Sequence, residues 1–135
     1  MQTFLPVADF KESAKILDYR RLGKQRVEAR QILNALQGKS KGWANHPATK
    51  MWKGFESALE QYLRETILEW KSRGYKNNME IPEQNNLTKN DLPKWFGDEN
   101  FHAAHRSNLL RKKFDYYSKF GWKENSDLQY IWPVD

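Results

Sequence analysis

The chain has 135 residues, a length that suits one compact domain and leaves no room for a two-domain enzyme. Lysine and arginine number 23 against 17 acidic residues, a net charge of +6 that favours anionic partners, with nucleic acid first among them. Cysteine is absent, which excludes disulfides, thiolate metal sites, zinc fingers and cysteine nucleophiles, and fits a reducing cytoplasmic compartment.

No run reaches the roughly 20 apolar residues of a membrane span, and the opening Met1-Gln2-Thr3-Phe4-Leu5-Pro6 has no leader-like pattern, so no membrane is expected among the partners. Six Trp, six Tyr and seven Phe stand among the many charges. Aromatics interleaved with cations are what stacking on bases requires, although small cores also use large rings for the area they bury.

From Asp9 to Gly38 the pattern is helical, with an N-cap at Asp9 or Ser13, apolar Leu22, Ala29, Leu33 and Leu36 on one stripe, and a kink expected at Gly23. Lys39 to His46 reads as a turn-rich connection. Pro47 then suits the first position of a long helix in which Trp52, Phe55, Leu59, Tyr62, Leu63, Thr66 and Trp70 recur at helical spacing up to Gly74. Lys76 to Pro93 reads as a long loop, Asp98 as the N-cap of a last helix, and Tyr116 to Trp132 as an aromatic, irregular tail. The expected fold is all-α, residues 1–135 forming a single compact domain of three main helices with long loops.

The densest candidate chemistry lies in Asp18 to Glu28. On a helix, Arg20, Lys24 and Glu28 share a face at i, i+4 and i+8, with Arg21 and Gln25 alongside. Cations there could hold phosphates while Glu28 acts as a base or stabilises positive charge on a sugar; the plain alternative is a surface Lys24–Glu28 pair. His102 and His105 stand at i and i+3 beside Arg106, Arg111 and Lys112. They could reach a metal with His46, but no third ligand is near in sequence, and phosphate contact is the preferred reading. Neither a metal nor a cofactor is expected.

With Tyr19-Arg20-Arg21-Leu22, Lys71-Ser72-Arg73-Gly74-Tyr75, Pro93, Gly97-Asp98, His102 and Tyr116-Tyr117 in this order, the chain resembles the pyrimidine-dimer DNA glycosylases of the endonuclease V type. It is more similar still to a group of small bacterial and phage proteins of that superfamily that open with Met1-Gln2-Thr3-Phe4-Leu5-Pro6. These carry Arg21-Leu22-Gly23-Lys24-Gln25-Arg26, His46-Pro47, Met51-Trp52 and His105-Arg106-Ser107-Asn108-Leu109-Leu110. The resemblance implies an endonuclease V-like fold, and a glycosylase in which an N-terminal α-amine attacks the sugar C1′ with help from a glutamate of the first helix.

Two positions depart from that pattern. Gln2 is large, so Met1 is expected to be retained. Arg21 stands where the family carries its glutamate, leaving Glu28 or Asp18 to substitute, while Arg20 matches a DNA-contacting arginine. The expectation is a base-excision glycosylase, with or without abasic-site lyase activity, monomeric and acting on duplex DNA. Its candidate catalytic residues are Met1, Arg21 and Glu28, and its candidate DNA contacts are Arg20, Lys24, Gln25, Arg26, His46, His102, His105, Arg106, Arg111 and Lys112. The alternatives are a non-catalytic nucleic-acid-binding module and an N-glycosidase acting on free nucleosides or nucleotides.

Overall fold

The computed structural model describes residues 1–134. Among them are six α-helices, two 3-10 turns and no strand: α1 (Phe10–Ile16), α2 (Tyr19–Leu36), α3 (Pro47–Lys50), α4 (Glu56–Ser72), α5 (Glu99–Lys112) and α6 (Phe114–Tyr117), with 3-10 turns at Lys89–Asp91 and Ser118–Phe120. None of these helices is long and apolar enough to cross a membrane.

The first helical stretch breaks at Leu17-Asp18, not at Gly23. Leu17 and Asp18 both take extended backbone, and Asp18 is drawn inward: its N–H donates to the Tyr117 hydroxyl at 3.0 Å, and its carboxylate receives the Tyr117 proton and Arg21. That tertiary pair outweighs the continuing helical pattern. Gly23 stays helical for a different reason. A Cβ there would lie 3.0 Å from Cζ3 of Trp70, so glycine lets the α4 indole lie against the α2 backbone.

The helix expected to start at Pro47 also divides. Asp-like capping by His46, whose Nδ1 accepts from the Ala48 N–H at 3.0 Å, starts α3, but the chain turns at Gly54 with φ +87 and restarts as α4. A left-handed position of this kind ends a helix and favours glycine. The break lets Trp52 point into the core while Ala58, Leu59, Tyr62, Leu63, Thr66 and Ile67 bury the face of α4. Asp98 caps α5 as its sequence suggests, accepting from the Asn100 N–H at 2.9 Å.

Two apolar clusters result. One joins α2, α3, α4 and the start of α5 around Leu33, Trp52, Tyr62 and Phe101; the other joins α1, α2, α5 and α6 around Leu17, Leu22, Leu109 and Tyr117. The loop from Lys76 to Pro93 is tied back by Arg30, Gln61 and Arg64, which donate to the carbonyls of Glu80, Glu83 and Pro82.

Between these helices runs the element that positions the site. Residues 2–6 are buried and lie outside any helix or strand, so their backbone groups are met by side chains. Gln25 Oε1 accepts from the Phe4 N–H at 2.8 Å and Gln25 Nε2 donates to the Gln2 carbonyl at 2.7 Å. The Tyr62 hydroxyl donates to the Phe4 carbonyl at 2.8 Å, and Arg106 Nη1 donates to the Pro6 carbonyl at 2.8 Å. His105 and His102 take the N–H and the carbonyl of Leu5.

Candidate active site

Held this way, the N-terminal segment ends at a concavity of about 410 Å³ lined by Met1, Gln2, Phe4, Arg20, Arg21, Lys24, Gln25, Glu28, Lys112 and Tyr130. Four cations, one carboxylate and the first residue of the chain therefore meet in one recess. Helix α2 supplies five of these side chains because positions 20, 21, 24, 25 and 28 fall on one face at 3.6 residues per turn. The opposite stripe, including Leu22, Ala29, Ile32 and Leu33, is buried and fixes that face outward.

Glu28 is half-buried and its Oε2 accepts from the Gln2 backbone N–H at 3.1 Å, which sets the carboxylate one residue from the α-amine. Arg21 is held by Asp18 at 3.3 Å. Partial burial, and then the charges of Arg21, Arg111 and Lys24, keep the Lys112 ammonium below the ordinary lysine range, while Glu28 acts in the opposite sense. A recess that gathers Arg20, Arg21, Lys24 and Lys112 about a single carboxylate carries excess positive charge and favours an anion such as a phosphate. Phe4 and Tyr130 give it an aromatic wall, their centroids 6.2 Å apart.

His46 stands outside this lining but inside its field: burial lowers its pKa, the Met1 amine lowers it further, and Glu28 raises it. Its ring packs edge-on against Trp43 and Trp132 at 5.5 and 5.8 Å.

Residues 1–83, more than half of the chain, match the family described as pyrimidine dimer DNA glycosylase. The chain belongs to the pyrimidine dimer DNA glycosylase family. No curated protein and no solved structure matches it significantly.

In this glycosylase-family protein the sequence-derived candidates do not all meet at one place. Met1, Arg20, Arg21, Lys24, Gln25, Glu28 and Lys112 come together in the concavity. Arg26 turns to the other side of α2, donating to Asn77 with its guanidinium 5.0 Å from the Trp70 ring. His102, His105 and Arg106 are buried and occupied within the protein: the histidines by Leu5, and Arg106 by Glu99, Glu124 and the Pro6 carbonyl. Arg111 is exposed at the end of α5 but spends donors on the Ser126 and Leu128 carbonyls, fastening the tail. In α5, therefore, Lys112 faces the recess, while His102, His105 and Arg106 hold the N-terminal segment that lines it.

Sequence reasoning did not single out Phe4 as a lining residue and grouped Tyr130 with the aromatic tail. Neither has a local signal, because Phe4 sits on a segment outside any helix or strand and Tyr130 on an irregular tail.

Proposed function

We propose that this protein is a DNA glycosylase that draws a damaged or modified nucleotide into the concavity, with Glu28 and the Met1 α-amine acting at the sugar. The observation that carries this reading is the Glu28 carboxylate on the Gln2 N–H at 3.1 Å, beside the first residue and among Arg20, Arg21, Lys24 and Lys112. Although Arg21 takes the position of the family's glutamate, a carboxylate two turns further along α2 reaches the N-terminus.

Extrusion of a nucleotide costs a few kcal/mol, less for a damaged base, and the cations offset part of it by holding the flanking phosphates. The neutral α-amine donates its lone pair to C1′. The glycosidic C–N bond breaks with its electrons leaving on the base, which takes up a proton. Glu28 stabilises the positive charge at C1′ and accepts the proton lost by the amine. Opening of the sugar ring at O4′, which takes that proton back from Glu28, then gives a protonated imine between Met1 and C1′; loss of a C2′ proton to Glu28 with departure of the 3′ phosphate constitutes the lyase step. Tyr130 and Phe4 supply a face for the extruded base.

The test is borohydride reduction in the presence of duplexes bearing an abasic site or an ultraviolet photoproduct, followed by mass spectrometry of the linked peptide. An adduct on Met1 is expected. Base release without an adduct would replace the amine step by water activated at Glu28, and neither adduct nor base release from a bound duplex would leave a binding module.

A further inference from the structure

On the opposite flank of α2 a second concavity of about 520 Å³ is lined by Tyr19, Arg20, Gly23, Lys24, Arg26, Val27, Glu28, Gln31 and Trp70. It shares Arg20, Lys24 and Glu28 with the first, so α2 forms a ridge between two recesses. Its floor is aromatic. The Trp70 ring lies 4.3 Å from that of Tyr75 at an interplanar angle of 26°, and Tyr75 lies 6.2 Å from Tyr19, again at 26°. Three rings are thus stacked in series where the start of α2 meets the end of α4 and the residues after it.

This ladder is built, not incidental. Gly23 admits the indole against α2, the Trp70 Nε1–H donates to the Lys76 carbonyl at 2.8 Å, and the Arg26 guanidinium covers the indole at 5.0 Å. Yet its tyrosines stay in solvent: Tyr19, the outermost ring, is 46% exposed and Tyr75, between Tyr19 and Trp70, is 40% exposed, with Val27 at 43%, and the far side of Tyr19 carries only the Arg20 guanidinium, 5.8 Å from the ring centroid. A ring stack that ends on an exposed tyrosine covered only by a long cationic side chain, with further cations beside it, has the two features that hold an unpaired strand: a face for a base once Arg20 swings to a phosphate, and charges for phosphates. Arg20 and Lys24 are exposed at its rim. Glu28, the one acid in the lining, is already engaged by Gln2. An acidic or apolar protein partner would meet the charges or the rings, but a single nucleic-acid strand meets both.

We infer that the Tyr19–Tyr75–Trp70 ladder is a stacking site for unpaired nucleobases, so that the protein engages single-stranded nucleic acid next to the duplex held at its other recess. The inference rests on nucleic acid being the partner, as in the proposed function, but requires no lesion and no turnover.

The experiment measures binding of the full chain to an undamaged, fluorescein-labelled 12-nucleotide oligo-dT and to an undamaged duplex by anisotropy, across a series of salt concentrations. Tyr75→Ala and, independently, Tyr19→Ala are expected to weaken oligo-dT binding roughly 5- to 150-fold while changing duplex binding less than about two-fold, and Tyr75→Phe is expected to retain wild-type affinity. Oligo-dT affinity unchanged in both alanine variants, or equal losses on single strand and duplex, would overturn the site. Base release by a wild-type protein that ignores oligo-dT would remove the ladder and leave the glycosylase reading; stacking without base release would do the reverse.

Discussion

His105 and His102 hold opposite sides of one residue: His105 Nδ1 accepts from the Leu5 N–H at 2.9 Å, and His102 Nδ1 meets the Leu5 carbonyl at 2.7 Å. The contacts require opposite tautomers. His105 must be bare at Nδ1 and His102 protonated there, leaving His102 Nε2 to accept from the Gly97 N–H at 3.0 Å. Both rings are thus neutral, and both are depressed, His105 to about 3, chiefly by burial and then by His102.

A pH dependence follows, with a definite sign. Between pH 6.5 and about 3 the unfolded chain protonates at position 105 and the folded chain does not, so stability falls as pH falls through that window. The slope is on the order of 1.4 kcal/mol per pH unit for this group. Urea midpoints should be level above pH 7 and drop below 6.5, and His105→Asn, whose amide oxygen can still accept from Leu5, should flatten the drop. Midpoints level down to pH 4 in the wild type would contradict the clamp.

Glu28→Gln keeps an acceptor for the Gln2 N–H while removing the charge, so the recess should stay intact. Base release is expected to fall by about 100-fold or more, with duplex affinity within about two-fold of wild type. Single-turnover kinetics beside a gel-shift titration separate the two quantities, and an equally active variant would remove Glu28 from the chemistry.

The cations of the chain should divide by location. Arg20→Ala and Lys24→Ala, at the recess, are each expected to lower the slope of log Kd against log salt by about 1. Arg106→Ala should leave that slope unchanged and instead destabilise the fold by about 3–5 kcal/mol, because Glu124 and the Pro6 carbonyl lose their partner. A matched change in salt slope for all three would mean that Arg106 reaches the nucleic acid.

Tyr117→Phe removes a hydroxyl that both accepts from the Asp18 N–H and donates to the Asp18 carboxylate. Asp18 is 2% exposed, so the variant leaves a buried N–H without its acceptor and should cost about 1–3 kcal/mol by denaturant titration. A variant as stable as wild type would place water at Asp18.

How far the sequence carried depended on whether a residue's role was set locally. The Asp98 cap, the apolar face of α4 and the alignment of Arg20, Lys24 and Glu28 are periodic or short-range features, and they hold. The break at Leu17-Asp18 was invisible because its cause, Tyr117, lies 99 positions away. His102, His105 and Arg106 read as a basic cluster for the same reason. Their partners, Leu5, Pro6 and Glu124, are remote in sequence, so nothing local marked them as internal. Gly23 signalled a kink because glycine weakens helices, whereas its use here is steric room for Trp70.

The contacts that hold residues 2–6 also set an order of events. Leu5 and Pro6 are synthesised before His105 and Arg106, which follow them by 100 residues. Pairings this distant in sequence are slow to form and wait on the rest of the chain. During translation α2 and α4 can meet while the opening segment is still without half of its partners. The recess that joins Met1 to Glu28 thus takes its final shape only after α5 has emerged, so the nascent protein carries its basic helix face before it carries a finished site.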